Sequence, residues 1–123
     1  MKRNAAALVA FFLSVPALAA PGDMSVETFV GKVDALKAKG AMALFSSDVG
    51  ALRSEGRAAG VAYTARLNSE RAAGRPSSCP PQGVKVNSDR LIAFLRTYPA
   101  ATRARIPMRT AIGDYFIHTW PCR

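Results

Sequence analysis

Cys79, in Ser78-Cys79-Pro80-Pro81, and Cys122, in Trp120-Pro121-Cys122-Arg123, are the only two cysteines of the 123 residues. Behind an export signal, a lone pair reads as one disulfide, because an oxidising compartment favours the bond and no third thiol competes. Other residue types that do chemistry are sparse. His118 is the only histidine. A zinc site needs about three or four convergent ligands, and no cluster of His, Cys or carboxylate supplies them. As a general base His118 needs a nucleophile, and both thiols are better spent on each other. The carboxylates Asp48, Glu55, Glu70, Asp89 and Asp114 are scattered, and their spacing pairs no two of them for acid–base work. Asp48 and Asp89 stand where helices begin, and Glu70 reads as a surface charge. No phosphate loop, nucleophile elbow or dinucleotide fingerprint is present. The expectation is a protein that is not an enzyme and needs no cofactor or metal.

What remains is binding chemistry. Arg66, Arg71 and Arg75 lead into the stretch Gly74-Arg75-Pro76-Ser77-Ser78-Cys79-Pro80-Pro81-Gln82-Gly83, whose three prolines and two glycines forbid a regular ladder. Arg96, Arg103, Arg105 and Arg109 form a second basic cluster. Arginine makes planar two-pronged bonds to carboxylates and is common where proteins meet, although solvated helix faces carry it too. The candidate partner contacts are Arg71, Arg75, Ser77, Ser78, Pro80, Pro81, Gln82, Arg103 and Arg105. A proline-stiffened loop of this kind could enter a groove of another protein.

These residues need a scaffold and a compartment. Lys2 and Arg3 precede an uncharged run from Ala5 to Leu18, and Ala17-Leu18-Ala19 puts small residues where a signal peptidase reads. Cleavage after Ala19 is expected, with an uncleaved anchor as the competing reading. The apolar run of about 15 residues is short against the roughly 20 a bilayer crossing needs. Residues 20–123 are then one exported domain with no transmembrane segment, in a periplasm-like oxidising space. Losing Lys2 and Arg3 takes the formal charge from +9 to about +7, which favours anionic surfaces or acidic partners. Outside the cytoplasm nucleic acid is the least suitable of these, and the charge also serves plain solubility.

The apolar periodicity predicts an all-α bundle of about four main helices. Ser25 caps the first, over about 25–39, with Val26, Phe29, Val30, Val33 and Leu36 on one face and Gly40 at its end. The second runs from Ser46 or Asp48, or as early as Ala41, to Ala73. Its stripe is Val49, Leu52, Gly56, Ala59, Tyr63 and Leu67. Glycines inside a helix cost up to about 1 kcal/mol each relative to alanine, so Gly56 and Gly60 imply a close helix contact or a kink, the contact being preferred. It could lie within the chain or across a dimer seam. Asn87 or Ser88 caps the third helix, with Leu91, Phe94, Leu95 and Tyr98 as its stripe and Pro99 as its stop. After a polar turn, Ala100 to Arg105, Pro107 is placed as the first residue of the fourth helix. Met108, Ala111, Ile112, Tyr115, Phe116 and Trp120 follow on one face. A Cys79–Cys122 bond would clamp these last two helices as a hairpin, their stripes facing.

Ser78-Cys79-Pro80-Pro81-Gln82-Gly83-Val84, a helix ending Phe94-Leu95-Arg96-Thr97-Tyr98-Pro99, and a last helix closing on Trp120-Pro121-Cys122 together resemble the Rap/Tai immunity family. The resemblance covers about residues 78–122. Residues 25–75 carry neither the further cysteines nor the Gly-Tyr-Ile stretch usual upstream. The resemblance implies a small exported helical protein that binds a peptidoglycan-cleaving amidase injected by type VI secretion and blocks its catalytic groove. It also implies a possible homodimer, since some members are homodimers. The alternative from composition is a basic accessory protein of the envelope that meets anionic lipid or cell-wall polymer.

Overall fold

The computed structural model describes residues 20–123, so the leader assigned to 1–19 lies outside the described residues. The Ser25 hydroxyl accepts the Thr28 N–H at 3.1 Å and starts α1, Val26–Lys39, which Gly40 ends at φ 57°. Glu27 in its first turn and Lys37 and Lys39 in its last suit the helix dipole. The chain then winds into a 3-10 segment, Gly40–Phe45, before Ser46 caps α2, Ser47–Ala72. Asn87 caps α3, Ser88–Leu95. The turn expected after Pro99 contains a single helical turn, α4, Ala100–Arg103, and α5 spans Met108–Thr119. No strand occurs among the described residues, and the fold is the small all-α bundle that the periodicity predicts.

Helix α1 buries Val26, Phe29, Val30 and Val33, α3 buries Leu91 and Leu95, and α5 buries Met108, Ala111, Ile112 and Tyr115. Helix α2 departs from its expected stripe. It turns Glu55, Ala59, Tyr63 and Leu67 inward, at a strict four-residue step, and leaves Gly56 only partly covered. The strap before α1 explains the buried acid. Val26 N–H donates to the Ile106 carbonyl at 2.8 Å, Met108 N–H to Met24 at 2.8 Å, and Arg109 N–H to Gly22 at 3.1 Å. The N–H of Met24 itself needs an acceptor, and Glu55 Oε1 supplies one at 2.8 Å. Gly22 lies buried beside Ala59 at φ 95°, a conformation that favours glycine. Pro107 is the extended cap residue of α5 and not its first helical residue, because it forms an antiparallel bridge with Ser25.

Cys79 and Cys122 are joined, their Cα atoms 4.9 Å apart, and the Cys79 N–H donates to the Trp120 carbonyl at 2.8 Å. The bond clamps α3 and α5 as a packed pair. Phe94 meets Tyr115 edge-on with ring centroids 5.7 Å apart, and the Tyr98 hydroxyl donates to Asp114 at 2.6 Å. Burial, and then that bond, push the Tyr98 phenol above its ordinary value.

The linked cysteines are 43 residues apart. On chain-entropy grounds, replacing both by alanine should lower the unfolding free energy by up to about 4 kcal/mol. Guanidinium titration of the oxidised chain and the C79A/C122A variant measures this. A difference below about 1 kcal/mol would mean that the clamp contributes little.

Candidate functional site

The loop after α2 is built from hydrogen bonds, not from regular structure. Gly74, at φ 72°, turns the chain back so that the Arg75 N–H reaches the Glu70 carbonyl at 2.9 Å. The Glu70 carboxylate accepts both the backbone N–H of Ser77, at 3.3 Å, and its hydroxyl, and it lies 3.4 Å from Arg66. The Tyr63 hydroxyl bonds the Ser77 hydroxyl at 3.0 Å and the Ser78 hydroxyl at 2.5 Å. Glu70 is therefore a partly buried anchor and not the free surface charge expected. The Ser77 hydroxyl, most of all, holds its carboxyl below the ordinary value, against the opposing effect of desolvation and with help from Arg66. Ser78 is fully buried and offers no side-chain surface to a partner; with Ser77 it serves the loop's own attachment.

Beyond Cys79 the loop faces outward. Pro81, Gln82 and Gly83 are exposed, and with Pro80 and Arg71 they edge a depression of about 470 Å³. Of the expected contact residues, the structure thus brings together Arg71, Pro80, Pro81 and Gln82. Arg75 is exposed nearby in sequence but does not line the depression, and neither do Arg103 and Arg105. Arg103 is half-buried and committed: its guanidinium donates to the carbonyls of Tyr98, at 2.9 Å, and Arg96, at 2.7 Å, closing the end of α3. Arg96 pairs with Asp34 at 2.6 Å, and Arg109 pairs with Asp23.

A second concavity is one that sequence reasoning did not anticipate. Helices α2 and α3 both pack on α1 or α5 but scarcely on each other. The space between them is a groove of about 910 Å³. Helix α1 lines it with Phe29, Val33 and Leu36, α3 with Leu91 and Ile92, and α5 with Ile112 and Phe116. The α2 wall includes Leu52, Gly56 and Gly60, with Arg53 and Arg57 as the only charged lining residues. Among the described residues, no ion pair engages either arginine. The 3-10 segment, which joins α1 to α2, exposes Leu44 and Phe45 by more than four-fifths.

The expected close contact at Gly56 and Gly60 is not made within the chain. A Cβ at either position would meet nothing within 4 Å. The glycine that helix packing does require is Gly113 in α5, where a Cβ would lie 3.1 Å from the Tyr63 ring. The periodicity marks Gly56 and Gly60 as unusual; which side of α2 they face depends on the Glu55 register, which the sequence hides.

His118 is exposed, with its ring 5.4 Å from that of Phe94. Among the described residues no group of three or more His, Cys, Asp or Glu could hold a metal ion. No helix among them is long and apolar enough to cross a membrane.

Two outcomes are expected. Gly56→Ala and Gly60→Ala should each raise the stability of the isolated protein by about 0.5–1 kcal/mol, whereas Gly113→Ala should lower it, as read by thermal or chemical unfolding. Glu70, ionised more readily in the fold than in the open chain, stabilises the loop above its ordinary value near 4.5 and loses that contribution as pH falls through its lower folded value. Amide exchange at Ser77 and Cys79 should show protection that drops below about pH 4.5, and Glu70→Gln should remove that step. Compared with protein families, characterised proteins and solved structures, the chain matches none, so its function is read from this geometry and from its residues.

Proposed function

We propose that this chain is a non-catalytic, periplasmic immunity protein that binds a peptidoglycan-cleaving amidase and occludes its cleft. The observation that carries the reading is the loop from Pro76 to Gly83. It projects Pro81 and Gln82 while the Tyr63–Ser78 bond and the disulfide fix its base. A segment already rigid loses little conformational entropy when it enters a cleft, which favours tight occlusion by a small surface. Arg71 at its edge is free to meet a carboxylate of the enzyme. The residues that resemble the Rap/Tai family are the ones that build this loop and its clamp, which supports the same reading. The disulfide is compatible with an extracytoplasmic location.

The test is protection. A cysteine–histidine amidase encoded beside this chain, directed to the periplasm of a host, should lyse the cells, and co-production of the chain should restore growth. Gln82→Arg combined with Pro81→Gly should abolish protection while leaving the helical circular dichroism unchanged. The purified pair should form a complex that survives high salt, because exposed charge attraction alone is screened over about 8–10 Å. Absence of protection, together with salt-sensitive binding to anionic polymer, would replace this reading with that of a basic envelope accessory protein.

A further inference from the structure

The groove between α2 and α3 is not accounted for by the loop. Its walls combine three features that the packing of the described residues leaves open. Half-buried apolar side chains, including Leu36 of α1, Leu52 of α2, Ile92 of α3 and Phe116 of α5, line it with no covering element among the described residues. Gly56 and Gly60 stand one helical turn apart on α2 and have open space where a side chain would project. Arg53 and Arg57, also one turn apart, add two positive charges with no carboxylate among the lining residues to balance them. Glycines so spaced let another backbone approach a helix closely, as an acyl chain does not require. Arginines on the same turns as the glycines provide forks for carboxylates on the same approaching element.

We infer that this groove receives an acidic amphipathic α-helix of a protein partner. The apolar face of that helix lies on Leu36, Leu52 and Ile92, its backbone crosses α2 at Gly56 and Gly60, and carboxylates spaced by four residues meet Arg53 and Arg57. A second copy of this chain suits the site poorly, because each copy carries an excess of positive charge. The inference does not depend on which enzyme, if any, the Pro76–Gly83 loop blocks.

The test uses the oxidised mature chain and two synthetic helical peptides of about 18 residues, long enough to span five turns. Both present the same Leu/Ala face; one carries Glu and the other Lys at the flanking i, i+4 positions. The Glu peptide should bind at least about tenfold more tightly than the Lys peptide by calorimetry. Arg53→Glu/Arg57→Glu should reverse that order. Gly60→Ala should weaken binding of the Glu peptide although it stabilises the free protein, and Gly60→Leu should abolish it with the circular dichroism intact. Equal binding of the two peptides, or no binding of the Glu peptide at millimolar concentration, would overturn the inference. So would tighter occupation by dodecanoate than by the peptide, which would make the groove a lipid site. Sedimentation as a dimer that Gly60→Leu dissociates would assign it to a second copy and overturn it as well.

Discussion

The loop between α2 and α3 has no ladder of its own, and the Cys79–Cys122 bond is the constraint on which its position depends. With Cys79 tied to the end of α5, the strand-like hydrogen bond from its N–H to Trp120 forms at little further entropic cost. Ser78, its neighbour, is thereby delivered into the core, where a hydroxyl is tolerated only because Tyr63 bonds it. Tyr63 in turn packs against Phe116 with ring centroids 5.0 Å apart. One covalent link therefore sets a buried polar contact, an aromatic contact and the exit direction of the exposed prolines.

The open groove follows from unequal helix lengths. Helix α2 has 26 residues, α5 has 12 and α3 has 8. At 1.5 Å per residue, α2 extends about 39 Å while α5 covers about 18 Å and α3 about 12 Å. Helix α5 takes one face of α2, where Tyr63 meets Phe116 and Gly113, and α1 takes part of another. The side of α2 that carries Gly56 and Gly60 is left without a partner among the described residues. A bundle with one overlong helix has either a solvated polar face there or a surface kept for another molecule. The apolar lining around these two glycines is of the second kind.

Much of the fold was legible in the sequence because its signals are local. Ser25, Ser46 and Asn87 are caps whose oxygen reaches an N–H two or three residues on, and such bonds can be read from spacing. The cysteine pair was legible for a different reason, since two thiols have one partner each. Contacts that depend on distant chain were not legible. Glu55 is buried because Met24, which is 31 residues away, presents an unpaired N–H. Pro107 is extended because Ser25 pairs with it. Of the expected contact residues, Arg71, Pro80, Pro81 and Gln82 do lie together, whereas Ser77 and Ser78 serve the loop's own anchor, a role hidden because nothing in the sequence places the Tyr63 hydroxyl beneath them. The commitment of Arg103, an expected partner contact, is hidden because its acceptors are backbone carbonyls, which every residue has.

The strap that holds Gly22 and Asp23 against the start of α5 has a kinetic consequence. Asp23 and Arg109, an ion pair in the fold, are 86 positions apart along the chain. In a polypeptide that emerges N-terminus first, the Met24 carbonyl and the Val26 N–H lack their main-chain partners until almost the whole sequence has been delivered. Completion of the core awaits the last helix, and the thiol partner at position 122 arrives later still. Such dependence on the tail slows productive collapse and leaves the early helices with bare apolar sides while they wait. That delay would suit the export proposed for this chain, in which a polypeptide is threaded through a membrane before it folds.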